Sequence, residues 1–260
     1  MRFNPGTSWA LLPVAAILAA LPAHGDDDDG AGGPPRWSVG AIGLYYDTPF
    51  AAEDNEFQAV PYVAYRGDRF FIDATALGYH LIKPDEEAGL SFGLDVIAAA
   101  RMLPGESRNK VTADMGLRAS IGGGMGRLDL VALQDVTDTH NGTELSASYE
   151  YDFQITDKFT LSPSVGVTWQ SRKLANHMWG ITQKQQDRMI EKDKPVLPLY
   201  ALSGSVVNYQ GGLTTVYSLS DSWTLIGFAQ GAYLDKDIRD HPGIDKNYEL
   251  TLGFGLAYNF

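Results

Sequence analysis

Tyr248-Glu249-Leu250-Thr251-Leu252-Gly253-Phe254-Gly255-Leu256-Ala257-Tyr258-Asn259-Phe260 closes the chain. Every even position in it is apolar. The odd positions hold Glu249, Thr251, Gly253, Gly255, Ala257 and Asn259. Successive side chains of a strand point to opposite faces, so this is a strand with one fatty face and one small or polar face. Aromatics stand at both ends of the fatty face, where interfacial belts belong.

The same rule recurs upstream. Leu145, Ala147, Tyr149, Tyr151, Phe153 and Ile155 alternate with polar residues, and the short turn Thr156-Asp157-Lys158 follows. Phe159, Leu161, Pro163, Val165, Val167 and Trp169 then alternate with Thr160, Ser162, Ser164, Gly166, Thr168 and Gln170. Two alternating runs joined by a tight polar turn read as a hairpin. Similar runs cover 90–102, 111–121 and 207–219, and weaker ones 37–46, 57–66, 69–79, 125–135 and 223–234. A bacterial single-chain barrel needs an even number of strands. Eleven runs therefore imply a missing one, expected within 176–202, for a total of twelve; ten or fourteen stay open.

Periodicity does not tell inside from outside. A soluble sandwich or lipocalin-like barrel would turn its fatty face inward. Three features favour a transmembrane antiparallel up-and-down β-barrel instead. The runs are longer than soluble strands and suit a tilted span. Aromatics cluster at the ends of the fatty faces. The chain ends on Phe260 two residues after Tyr258, which resembles the signal read by the barrel assembly machinery. After the N-terminus no run approaches the ~20 apolar residues of a spanning helix.

The first residues read as a secretory signal peptide. Arg2 gives a positive start, 9–21 is apolar, and Ala23-His24-Gly25 has small residues at the −3 and −1 positions. The expected organisation is a signal peptide over 1–25, an acidic Gly/Pro-rich segment over 26–36 and a barrel over 37–260. An outer membrane of a Gram-negative bacterium is the expected location. The formal net charge is −12, which argues against nucleic acid as a partner. There are no cysteines, so no disulfide staples the fold. Twenty-eight glycines, 13 tyrosines and 5 tryptophans suit a crowded lumen and aromatic girdles.

The polar faces carry charge. Asp95 with Arg101, Asp114 with Arg118, Arg127 with Asp129, and then Glu144, Glu150 and Asp152 are expected to face the lumen. They would form either a pathway for a small solute or a paired network that plugs a narrow interior. Arg–carboxylate pairs four apart on one strand share a face, which suits neutralisation. Four histidines follow the leader: His80, His140, His177 and His241. His80 is expected near Asp85 or Glu86, and His241 near Asp240 and Asp245. No Ser-His or Asp-His constellation follows from spacing, so catalytic residues and cofactors are expected to be absent. Asp26 to Asp29, and Asp235, Asp237, Asp240 and Asp245, lack the order of a calcium loop. They read as hydrated segments, the second able to meet cation-bridged lipopolysaccharide. Asn141-Gly142-Thr143 reads as a turn.

Several short stretches together resemble the MltA-interacting protein (MipA/OmpV) family from about Trp37 to Phe260. They are 61–72 (PYVAYRGDRFFI), Leu77-Gly78-Tyr79, Trp169-Gln170-Ser171, Trp179-Gly180-Ile181, 217–225 (YSLSDSWTL) and 256–260 (LAYNF). The resemblance implies an outer-membrane barrel surrounded by lipid. It also implies a scaffold role, with a lytic transglycosylase and a murein synthase as partners. The alternatives are a permeability barrel, tied to antibiotic or osmotic responses, and a surface adhesin.

Overall fold

Alternating side chains give the chain a β backbone throughout, and the pairing of those strands closes on itself. A computed structural model describes residues 36–74, 76–85, 89–101, 111–191, 193 and 195–260. The expected signal peptide and all of the acidic segment except Arg36 lie outside the described residues.

The strands are β1 (Trp37–Asp47), β2 (Glu56–Arg66), β3 (Phe70–Asp73), β4 (Ala76–Ile82), β5 (Leu90–Arg101), β6 (Thr112–Gly123) and β7 (Gly126–Asp135). They continue as β8 (Thr143–Glu150), β9 (Phe153–Thr156), β10 (Phe159–Gln170), β11 (Val206–Ser218), β12 (Trp223–Tyr233) and β13 (Tyr248–Asn259). Neighbours in sequence pair antiparallel, and β13 pairs with β1. Both β8 and β9 lie against β10, so they are one strand interrupted at Tyr151 and Asp152. The result is a closed antiparallel barrel of twelve strands. Closure leaves no sheet ends, which is what a β structure needs to cross hydrocarbon. Among the described residues no helix is long and apolar enough to cross a membrane.

The count of twelve agrees with the sequence, but the missing strand is elsewhere. The run at 69–79 is a hairpin of two strands, with Asp73 opposite Ala76. Ala74 takes a left-handed φ of 46° at its tip. Among the described residues the stretch 176–202 holds no strand. It carries the second half of α1 (Arg172–Trp179) and then α2 (Gln183–Glu191). Leu174, Ala175, Met178 and Trp179 recur at helical spacing and are buried together.

The fatty face points outward. Phe254, Leu256, Tyr258 and Phe260 are exposed, while Glu249, Thr251 and Ala257 are buried. Two outward aromatic rows mark the membrane boundaries. One, beside the termini, contains Trp37 against Tyr65 at 4.5 Å and Trp223 against Tyr258 at 5.0 Å. The other contains the cross-strand series Tyr209, Tyr233 and Tyr248. Ten residues of β13 separate Tyr248 from Tyr258. At ~3.4 Å per residue and a tilt of ~40° that is ~26 Å, the height of an outer-membrane apolar band. The two ends of the barrel chain meet at one rim, where Trp37 N donates to Phe260 O at 3.1 Å and Phe260 N to Trp37 O at 3.0 Å.

Glycine makes room inside. The Phe228 ring lies where a Cβ on Gly253 would stand, and the Phe71 ring does the same over Gly78. Larger residues there would drive these rings out of the lumen.

At the opposite rim, loops rather than strands build a second core. Phe50, Trp179, Met189, Leu197, Leu234 and Ile238 are buried together there, drawn from the β1–β2 loop, α1, α2, the segment after α2 and the β12–β13 loop. That last loop carries α3 (Lys236–Arg239), capped by the Asp235 carboxylate accepting from Asp237 N at 2.8 Å. At ~1.5–3 kcal/mol for each large apolar side chain removed from water, this core suffices to hold the loops as a fixed cap over the barrel mouth.

Candidate functional site: a charged lumen beneath a loop-built cap

Most of the inward-facing charge lies on β4 to β8 and is organised around three arginines, and Glu249 of β13 also faces inward, accepting from the Tyr46 hydroxyl at 3.0 Å. Nearest the cap, Arg101 Nε donates to Asp114 Oδ2 at 2.7 Å, and Nη1 reaches past β6 and β7 to Glu144 Oε2 at 3.0 Å. In the middle, His80, Asp95 and Arg118 stand in one row across β4, β5 and β6. Asp95 lies 2.6 Å from His80 Nδ1 and accepts from Arg118 Nε at 2.8 Å. The Arg118 guanidinium also covers the Phe71 ring at 4.8 Å. Toward the terminus rim, Arg127 donates to Asp129 at 2.8 Å and to Glu150 at 3.1 Å.

Eight of the nine charges nominated from sequence therefore make ion pairs. The ninth, Asp152, stands outside the strands, is exposed, and accepts from the Ser162 hydroxyl. The partners differ from those that strand spacing suggested. Asp95 pairs with Arg118 rather than Arg101, and Asp114 with Arg101 rather than Arg118. Positions four apart on one strand are ~13 Å apart, whereas directly opposite residues are ~5 Å apart, so cross-strand pairing wins. Only Arg127 with Asp129 pairs as expected.

Sequence spacing also missed two histidine–carboxylate contacts. His80 is inside β4 and faces Asp95, not Asp85; Glu86 lies outside the described residues. His140 Nε2 lies 3.3 Å from Asp114 Oδ1. Gly142 N donates to His140 Nδ1 at 3.0 Å, so the neutral ring carries its proton on Nε2, facing Asp114. Only the register of β4 on β5, and of the 136–142 loop on β6, brings these groups together. His241 Nδ1 likewise accepts from Gly243 N, and its ring packs on Phe50 and Tyr200 rather than on Asp240 or Asp245.

Asp114, Asp135 and His140 offer ligand atoms within 4.8 Å of one another, all buried. Their existing bonds argue against a cation. Asp135 uses one oxygen on Thr137 and the other on the backbone N–H groups of Thr139, His140 and Asn141. Arg101 already neutralises Asp114. The cluster is a loop anchor in which Asp135 is satisfied by its own loop, while Asp114 Oδ1 and His140 Nε2 face one another at 3.3 Å with no other hydrogen-bond partner among the described residues.

The cap and the charges are joined. Trp179 Nε1 donates to Gln170 Oε1 at 3.3 Å, and Gln170 Nε2 donates to Glu144 at 3.3 Å. The His177 ring of α1 lies 4.8 Å from the His140 ring. Burial, and then the neighbouring His140 and Arg101, push the His177 pKa down to about 4. A cavity remains beneath the cap, lined in part by Arg101, Glu144, Gln170 and Trp179.

The other side of the lumen holds an apolar cluster among buried polar residues such as Asn208, Thr214, Thr224 and Thr251. Ile42, Leu44, Val60, Tyr62, Ile226 and Phe228 pack together from β1, β2 and β12. Sequence reading expected charge inside and did not foresee this half, because inward apolar residues on β1 and β2 weaken the alternation there.

Comparison with known proteins gives a family. The model of the family described as MltA-interacting protein MipA matches residues 39–260. The putative outer membrane protein YiaT of Escherichia coli K12 is 25% identical over 237 residues, covering 86% of this chain and 90% of YiaT. The outer membrane protein OmpV of Vibrio cholerae is 23% identical, covering 86% of this chain and 87% of OmpV. The MltA-interacting protein of Escherichia coli K12 is 23% identical over 268 residues, covering 98% of this chain and all of that protein.

Proposed function

The chain belongs to the MltA-interacting protein MipA family of outer-membrane β-barrels, and from that premise we propose that it is a sealed scaffold that holds murein-acting enzymes at its terminus rim. The observation that carries this reading is the filled lumen. Arginines and carboxylates neutralise one another on one side, apolar side chains pack on the other, and a folded cap closes the loop mouth. A barrel built so has no use for its interior as a path, which leaves its rims and outer wall to do the work. In this reading 1–25 is a cleaved signal peptide, and the short turns and both ends of the barrel chain face the periplasm, where murein lies. The partners of this reading are a lytic transglycosylase and a murein synthase; the Escherichia coli relative carries the name MltA-interacting protein.

Neither His80 nor His140 has a serine hydroxyl as a partner among the described residues; each faces a carboxylate instead.

In vivo cross-linking followed by affinity capture tests the scaffold role. Recovery of a murein enzyme, lost when the turns 67–69, 124–125 and 219–222 are altered, supports it. Capture of the assembly machinery and no murein enzyme overturns it. A planar-bilayer recording tests the competing permeability reading, which the cavity beside Arg101 favours: reproducible single-channel steps would establish a path and remove the sealed lumen.

A further inference from the structure

The cavity beneath the cap has two unlike walls. On one, the polar groups are bonded to one another: Arg101 to Asp114 and Glu144, and Gln170 to Glu144 and the Trp179 indole. On the other, where β10, β11 and β12 run side by side, they are not. Gln210 and Gln230 line the cavity, yet neither side chain makes a hydrogen bond among the described residues. Asn208 accepts from Asp235 N at 2.8 Å through its carbonyl oxygen, so its amide N–H groups remain for the cavity. Thr168, directly across the ladder from Asn208, adds a hydroxyl that is also without a partner among the described residues.

Strand register explains why these groups stand free. Gln210 lies between Gly166 of β10 and Ala232 of β12, and Gln230 lies opposite Gly212 of β11. Such small neighbours offer no polar partner and leave space beside the long amides. Both glutamines are only half-buried, although they face the inside of a closed barrel. Inward polar groups ordinarily find partners within the fold. Here they are spaced ~5 Å across the ladder and ~7 Å along the strand, with nothing of the protein to bond.

The chemistry of the free wall selects a ligand. Each amide sets an acceptor beside donors, and a hydroxyl is both. Adjacent hydroxyl groups on one small molecule complement that arrangement. A charged ligand would lose its water opposite ions that are already paired, whereas a neutral one meets the amides without that cost. We propose that the wall formed by Thr168, Asn208, Gln210 and Gln230 binds a small neutral polyol, no larger than a single sugar ring. Met178 and Trp179 of α1 lie at the same cavity, so the ligand enters from the loop mouth when α1 lifts. The site is a blind pocket. It goes beyond the scaffold role and needs neither a murein partner nor a path through the barrel.

The test is calorimetric titration of the purified full barrel in lauryldimethylamine oxide, a detergent without sugar. Glycerol and glucose are the neutral probes; glucosamine and glucuronate carry a positive or negative charge on the same ring. Saturable binding of a neutral probe, tighter than that of either charged ring, is expected. Replacing both amides, in Gln210→Ala with Gln230→Ala, should weaken it by about tenfold or more, the loss of one or two hydrogen bonds. Tyr209→Ala, on the same strand but facing lipid, should leave it unchanged. No saturable binding of glycerol or glucose by the wild type overturns the proposal, as does tighter binding of a charged ring. Both of these outcomes stand even if the double variant fails to fold. Undiminished binding in a folded double variant, or an equal loss in Tyr209→Ala, overturns it too.

Discussion

Arg118 stands directly across the β5–β6 ladder from Asp95 and donates to it from both Nε and Nη2 at 2.8 Å. Asp95 is 1% exposed, and its only other ion-pair partner among the described residues is His80. This two-nitrogen contact fixes the guanidinium plane over Phe71 and ties three strands together through one carboxylate.

Removing one member leaves a buried charge. Arg118→Met is expected to destabilise the barrel by about 3–5 kcal/mol, and Asp95→Asn together with Arg118→Met to recover most of that. Urea unfolding followed by the gel shift between unheated and boiled samples measures both. Equal losses in the single and double variants would show that the pair does not act as a unit.

Acid should loosen the cap before the barrel. His177 in the unfolded chain takes a proton near pH 6.5, but in the folded cap only near pH 4. Between these values the unfolded state binds more protons, so stability is full above pH 6.5 and falls as the pH drops toward 4. For this half-buried ring the loss is on the order of 1 kcal/mol after solvent screening. Hydrogen exchange of α1 against pH reads it, and His177→Phe should remove the slope. An unchanged slope in that variant would assign the effect to another group.

Trp179 is 3% exposed, stacks at 6.2 Å on Phe50 and bonds Gln170. Trp179→Ala should cost the cap about 3–5 kcal/mol. Cleavage by trypsin at Lys184 and Arg188 should then rise tenfold or more, since it follows the open population, at roughly 1.4 kcal/mol per factor of ten. The barrel should still shift on an unheated gel. Loss of that shift would mean that the cap is needed for the strands themselves.

Phe260 is exposed at 61%, and its backbone, not its ring, holds the rim to Trp37. Phe260→Ser is therefore expected to change the stability of the folded barrel by less than about 1 kcal/mol. The fraction reaching the outer membrane should fall sharply if Tyr258 and Phe260 act as an assembly signal. Pulse-chase fractionation separates the two effects, and normal assembly of the variant would end that role for the ring.

The hairpin at 69–79 shows how much more the sequence held than its runs of alternation revealed. Phe70 and Ile72 put even positions on the lipid face, whereas Leu77, Tyr79 and Leu81 put odd positions there. A change of parity inside one run requires a turn. No Gly, Pro or Asn stands at Ala74 to announce it, so the run passes for a single strand. The helical spacing of Leu174, Ala175, Met178 and Trp179 was legible in the same way.

What the sequence determined by itself was local: two-faced strands, an even count, aromatic rows at both boundaries and a family. These follow from alternation along one strand, which is visible without knowing any neighbour. Tertiary structure alone decided who meets whom. Asp95 chose Arg118, His140 met Asp114, and loops distant in the chain shared one core under Trp179. Each of these depends on the register of one strand against another. A shift of two residues keeps every face as it was and moves each partner by about 7 Å, beyond the reach of any hydrogen bond.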